Sequence, residues 1–163
     1  MHHSLERRLE LVAPVERVWA TVTDVERLVS WISVLHSARE LERLSSYTAT
    51  LEDRLGPFRL RADLDVRVTD VVEPRTITIR ADGEDRQVGS RIAVAGTLKL
   101  SEMEHMTLLA IIGEYEITGK AASLGSSSIR KKANMIVAEF CARAAAELDG
   151  ASPGTATRTD GRT

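Results

Sequence analysis

Apolar and polar positions alternate along most of the chain and change period near its end. From Phe58 to Val68, Phe58, Leu60, Ala62, Leu64, Val66 and Val68 face one way and Arg59, Arg61, Asp63, Asp65 and Arg67 the other. That is the period of a half-buried strand. Beyond Gly125 the spacing becomes three and four, and Ile129, Ala133, Ile136, Val137, Phe140, Ala144 and Leu148 form one stripe. The stripe predicts a helix over Ser126–Leu148, about 34 Å long at about 1.5 Å per residue. Ser126 or Ser127 is expected to cap its first amides and Gly150 to stand just past its end.

The chain before this helix reads mainly as strands. Leu5–Val12 alternates up to Ala13-Pro14 and predicts a first strand. Pro14 suits a helix start, Val15, Val18, Trp19 and Val22 repeat at helical spacing, and Asp24 can cap a second short helix carrying Leu28, Val29, Trp31 and Ile32. Trp19 reads as a core aromatic. From Leu35 to Ile117 the period is two, broken at Gly56-Pro57, at Glu73-Pro74, at an exposed loop Asp82–Asp85 and at a turn Ser101–His105. This is a meander of about six strands with one apolar face. The resulting order predicts an α+β fold, a curved antiparallel sheet of about seven strands wrapped around the long C-terminal helix, with two short helices after the first strand. Residues 1–148 read as one domain. Residues 149–163, polar, Gly/Ser/Thr-rich and aperiodic, read as a disordered tail.

Composition narrows the function classes. A chain of 163 residues suffices for one sizeable core. A formal charge of −2, with acids and bases interspersed and no basic stripe with aromatics between, argues against nucleic acid. Neither a membrane-spanning run nor a signal peptide is visible, so a cytoplasmic location is expected. The single cysteine, Cys141, lies beside the apolar stripe and reads as a small buried thiol.

Few residues suggest catalysis. Gly113–Lys120 lacks the spacing of a phosphate loop, and Ala121 stands where a magnesium-binding Ser or Thr would be. No nucleophile elbow, zinc-binding His-Glu-x-x-His or paired cysteines occur, so no metal and no cofactor are expected. His2 and His3 sit at the terminus, and His36 and His105 near turns, with no acid or nucleophile at a diagnostic spacing. Asp53 either points inward at a strand end or lies at the rim in water. Arg130, Lys131 and Lys132 oppose the positive end of the helix dipole, which disfavours them unless something else uses them. With Lys120 they form either a surface for an anionic partner or headgroup, or a solvated face. Ala93, Ala95, Leu108, Ala110 and Ile112 share the outward parity of neighbouring strands, a patch that a homodimer, a partner or the monomer's own loops would cover.

The residues Ala13-Pro14-Val15-Glu16-Arg17-Val18-Trp19, then Asp24, Leu55-Gly56-Pro57, Thr107 with Leu109, and the segment Gly119–Gly125 before the last helix resemble the START and birch-pollen-allergen superfamily (SRPBCC, the helix-grip fold). Within it the chain is most similar to the CoxG-like family of carbon monoxide dehydrogenase proteins, a resemblance spanning nearly all of residues 5–148. Two features depart from that pattern. Trp31-Ile32-Ser33-Val34-Leu35 replaces a Cys-Ile-Pro-Gly type turn and looks more like polyketide cyclase and dehydratase relatives, and the tail is short and polar where longer relatives append a hydrophobic segment. The resemblance implies association with a carbon monoxide dehydrogenase-type complex, in maturation, membrane recruitment or quinone delivery.

Together these readings predict a non-enzymatic protein that binds a hydrophobic small molecule, lipid- or quinone-like, between sheet and helix. The alternative is a polyketide cyclase or dehydratase with Tyr47, Tyr115 or Asp53 as acid or base. The expected apolar lining comes from Leu51, Leu60, Leu64, Ile79, Val94, Leu98, Leu109 and Ile111 on strands and from Trp31, Met135 and Phe140 on helices. Tyr47, Thr107 and Tyr115 are the groups expected to orient a ligand. Lys120, Arg130, Lys131 and Lys132 are the expected partner or membrane surface, giving weak peripheral contact at the inner face of the membrane.

Overall fold

The computed structural model describes residues 2–149. Strand β1 (His2–Leu11) is followed by two short helices, α1 (Val15–Val22) and α2 (Val25–Trp31), and then by six strands: β2 (Leu35–Glu42), β3 (Ser46–Leu55), β4 (Phe58–Val72), β5 (Thr76–Asp85), β6 (Ser90–Met103) and β7 (Met106–Gly119). A 3-10 turn, Lys120–Leu124, leads into the long helix α3 (Ser126–Asp149). The strands form one antiparallel sheet in the order β1-β7-β6-β5-β4-β3-β2. The meander from β2 to β7 runs in sequence order, and β1 closes it by pairing with β7. This is the curved antiparallel sheet around one long helix that the hydrophobic pattern predicts, and the helix-grip fold that the resemblance implies.

Alternation places the apolar residues of the strands on the face toward α3, and they pack there in two separate clusters. One joins Leu11, Val15, Val18, Trp19, Trp31, Leu100 and Leu109 to Phe140, Cys141, Ala144 and Leu148 in the C-terminal half of α3. Trp31 and Phe140 meet edge to face with centroids 5.7 Å apart. Trp19 is buried in this core, and its indole N–H donates to Glu73 Oε2 at 3.2 Å, tying α1 to the turn between β4 and β5. The second cluster, Leu60, Ala62, Leu64, Ala81 and Ile92, lies on β4, β5 and β6. Burying these side chains supplies the main driving force for closing the sheet on the helix.

Local chemistry shifts three expected boundaries. Asp82–Asp85 is not an exposed loop: β5 continues through it, and Asp85 is buried. Its carboxylate accepts from the backbone N–H of Arg61 (2.7 Å), Gln87 (2.9 Å) and Val88 (3.1 Å), so it caps the next turn from inside. Asp149 is not tail but the last residue of α3; it is buried and accepts from Val12 N–H at 2.6 Å. At the other end of α3, the carbonyl of Gly125 opens the helix by accepting from Ile129 N–H at 3.2 Å. The expected cap at Gly150 and the tail over 150–163 lie outside the described residues.

Candidate functional site

Between the two packed clusters the inner face of the sheet is incompletely covered. Two transverse rows cross this region. In one, Leu5, Gly113, Gly96 and Ile79 are register partners in succession from β1 to β5. In the other, His3, Tyr115, Val94, Ala81, Val66 and Tyr47 run from β1 to β3. The facing glycines remove two side chains from the middle of the sheet. A Cβ at Gly96 would meet nothing nearer than Ile112 O at 3.9 Å, and one at Gly113 nothing nearer than Ala95 O at 3.7 Å. Ile79, Val94, Leu98, Ile111 and Tyr115 around this gap are only half-buried, as are Ala133, Ile136 and Val137 on α3. These half-buried apolar side chains flank bare backbone at the centre of the sheet's inner face.

The expected lining residues divide among these regions. Trp31, Leu109 and Phe140 belong to the first cluster, with Leu98 and Ile111 packed against it. Leu60 and Leu64 belong to the second, with Leu51 and Val94 beside it. Met135 does not join them: it is 55% exposed, because five residues from Phe140 on a 3.6-residue period places it near the opposite side of α3.

Of the three groups expected to orient a ligand, two are committed to the fold. Thr107 is fully buried and its hydroxyl donates to Ala13 O at 2.7 Å, joining β7 to the chain entering α1. The Tyr47 hydroxyl accepts from Leu44 N–H at 2.9 Å, holding Leu44 at φ 54° in the turn between β2 and β3. Tyr115 remains. Its ring lies 5.2 Å from that of His3, and burial raises its phenol above the ordinary range, partly offset by the Arg130 guanidinium.

His3 is the residue that a terminal position conceals. It is 8% exposed, and its Nε2 is buried without a hydrogen-bond partner. Burial, together with the positive charge of Arg130, lowers its pKa from the ordinary histidine value, which favours the neutral ring. The signal for it in the sequence is parity: His3, Leu5, Leu9 and Leu11 share the inward face of β1, on which Arg7 alone is exposed.

Two of the segments that carry the family resemblance, the turn at Gly56-Pro57 and Gly119–Gly125, meet in space. Gly119, at φ 85°, lets β7 pass the turn after β5, where a Cβ would stand 2.0 Å from Gly89 O. The 3-10 turn is then fixed by Ala121 N–H, which donates to the buried Ser90 Oγ at 2.8 Å. Leu124 from that turn lies over Gly56 in the turn between β3 and β4. Nearby, Lys132 Nζ pairs with Asp53 Oδ2 at 2.9 Å, and both residues are half-buried. Lys132 thus faces β3 and is not part of the free basic surface, and Asp53 is held in this pair, neither pointing freely inward nor standing alone at the rim. Lys120, Arg130 and Lys131 are exposed, and Arg7 lies beside Arg130, Lys131 and Met135 in a shallow depression.

Other polar features are balanced locally. A depression on the outer face of β4 to β6 is lined by Arg61, Asp63, Glu84, Arg86 and Arg91, among which Glu84 pairs with both Arg86 and Arg91 at 3.3 Å. Cys141 is buried, which pushes its thiol pKa up and suppresses reactivity. Among the described residues no group of three or more His, Cys, Asp or Glu is placed to hold a metal ion, and no helix is long and apolar enough to cross a membrane.

Comparison with known proteins agrees with this architecture. The family model for CoxG of carbon monoxide dehydrogenase matches residues 9–148. A conserved protein from Geobacillus kaustophilus superposes with a TM-score of 0.80 at 21% identity, covering 91% of this chain and 96% of that one. A START superfamily protein from Mycobacterium smegmatis gives 0.71 at 14% identity, covering 92% and 99%. The Zhui aromatase/cyclase from Streptomyces sp. R1128 gives 0.65 at 15% identity, covering 91% and 94%. At these identities the likeness to solved structures is one of fold. No curated protein matches the chain.

Proposed function

We propose that this chain, which belongs to the CoxG family of carbon monoxide dehydrogenase proteins, is a non-enzymatic carrier that holds a lipophilic small molecule, lipid- or quinone-like, between its sheet and α3. The observation that carries this reading is the half-buried apolar band on the inner face of the sheet, which would form the ligand groove. Half-buried Ile79, Val94, Leu98 and Ile111 surround the paired Gly96 and Gly113, at the margins of the two core clusters where the inner face of the sheet stays part-exposed. An apolar concavity with few polar groups suits a ligand bound chiefly by loss of water contact. Tyr47, Thr107, Asp53 and Lys132 are engaged in bonds that hold the surrounding frame, which favours binding over acid–base chemistry.

Partners follow from two separate supports. Family membership supports service to a carbon monoxide dehydrogenase-type complex. Exposed Arg130 and Lys131, with Arg7 and Met135 beside them, support weak, reversible contact with an anionic membrane at its cytoplasmic face. Ile112, 39% exposed on the outward parity of β7, marks where a second copy would pair. A second reading, cyclase or dehydratase chemistry, draws on the His3–Tyr115 pair at the groove and would require turnover of a polyketide-like substrate.

Native mass spectrometry of gently purified protein tests the carrier reading. A copurified lipophilic molecule released on denaturation is the expected result. Protein that is empty and takes up no hydrophobic probe would overturn it.

A further inference from the structure

The apolar groove has a polar end that the carrier reading alone does not explain. On the inner face of β1 and β7, His3 and Tyr115 are direct register partners with rings 5.2 Å apart. Their row continues to Val94, beside the glycine floor. His3 Nε2 is buried and has no partner, and leaving such an atom unpaired disfavours the fold. Nothing in the fold uses it: β1 pairs with β7 through backbone bonds, and Leu5, Leu9 and Leu11 provide the strand's apolar anchorage. For packing alone, another leucine would serve at this position. Arg130, in the first turns of α3, adds positive charge felt by both rings.

Resting on the carrier reading, we infer that His3 and Tyr115 form the polar anchor of the groove and bind an acceptor oxygen, carboxylate or carbonyl, at one end of an otherwise apolar ligand. The donors fit that chemistry. A neutral imidazole in its Nε2–H form and a phenol each donate one hydrogen bond, and two donors on register-paired residues of adjacent strands suit one oxygen with two lone pairs. Arg130 strengthens the preference for an oxygen bearing negative charge, since its field is not cancelled at this edge of the sheet by a carboxylate on the inner face of β1 or β7. A ligand that donates, such as an amine, would meet the wrong hydrogen-bonding complement and a like charge.

Three probes of similar length separate the possibilities: cis-parinaric acid, its methyl ester and the hydrocarbon diphenylhexatriene. The parent is expected to bind all three, and the acid more tightly than the hydrocarbon. His3→Phe and Tyr115→Phe should each weaken acid binding about tenfold, as expected for loss of a hydrogen bond to a charged group, and leave the hydrocarbon unchanged. If the ester weakens in parallel, a carbonyl oxygen suffices; if only the acid weakens, the anchor is specific for carboxylate; both outcomes support the proposal. In the parent, the His3 Nε2 nitrogen resonance should also shift on adding acid and stay in place with hydrocarbon. Folded variants that bind acid as tightly as the parent, with no shift at His3, would overturn the anchor while leaving the carrier reading intact. Failure of the parent to bind any probe would overturn both.

Discussion

Gly56, at the tip of the turn between β3 and β4, lies under Leu124 of the turn before α3, so closely that a Cβ at residue 56 would stand 2.8 Å from Leu124 Cδ2. Residues 68 positions apart in the chain thereby close the sheet's free side against the start of the helix. Gly56 has φ 57°, a conformation that costs an L-residue about 1–2 kcal/mol. Gly56→Ala should destabilise by about that amount, measured by urea unfolding. Adding Leu124→Ala removes the steric part, so the second substitution should cost less in the Gly56→Ala background than in the parent.

Thr107 makes a similar long-range connection inside the core. Thr107→Val keeps the shape but leaves the Ala13 carbonyl without its 2.7 Å donor, which predicts a loss of about 1–3 kcal/mol. Equilibrium unfolding checks it, and a loss below about half a kcal/mol would show that water replaces the hydroxyl.

Two buried groups contribute to the acid limb of stability. His3 has a folded pKa below 6.5, so the unfolded chain binds more protons as pH falls through 6.5, and stability declines toward the folded pKa. Asp85 has the opposite balance of causes: burial would raise its pKa, but three backbone N–H donors hold it below 3.8. Its contribution is present above that value and is lost as pH falls through the folded pKa. His3→Phe should therefore flatten the melting temperature between neutral and mildly acidic pH, and Asp85→Asn should flatten it only in the more acidic range.

The basic start of α3 divides by partner. Lys132 is held by Asp53 at 2.9 Å, whereas Arg130 and Lys131 are exposed. If the chain meets an anionic bilayer, Arg130→Gln and Lys131→Gln should each weaken binding to phosphatidylserine vesicles about fivefold, equivalent to about 1 kcal/mol, and the effect should fade with salt. Lys132→Gln should lower stability and leave vesicle binding near the parent's. Equal effects of all three would show that the pair with Asp53 opens at the membrane.

Periodicity makes the architecture legible in the sequence: the alternation of Phe58–Val68 and the stripe from Ile129 to Leu148 are local consequences of which face is buried. The site is less legible because hydrogen-bond partners are chosen across the fold. Inward parity correctly places Tyr47 and Thr107 near the interior, yet nothing local shows that Leu44 N–H and the Ala13 carbonyl claim their hydroxyls. Asp82-Gly83-Glu84-Asp85 has the composition of a loop, and only the non-local amide of Arg61 and the turn after it make Asp85 an interior cap. His3 is the reverse case, a parity signal outweighed by its place near the terminus.

Gly96 and Gly113 leave the inner face of the sheet without side chains at its centre, and the proposed ligand site lies over them. Gly113→Leu places a side chain where a Cβ meets only ordinary contacts, so it should fill the groove without unfolding the sheet. Affinity for a phenylnaphthylamine probe, titrated by fluorescence against parent and variant, tests this directly. The account predicts at least about a tenfold loss of probe affinity, since occupied volume excludes apolar ligand surface worth about 25 cal/mol per Å², with the melting temperature kept or raised. A folded Gly113→Leu protein that binds the probe as tightly as the parent would contradict it.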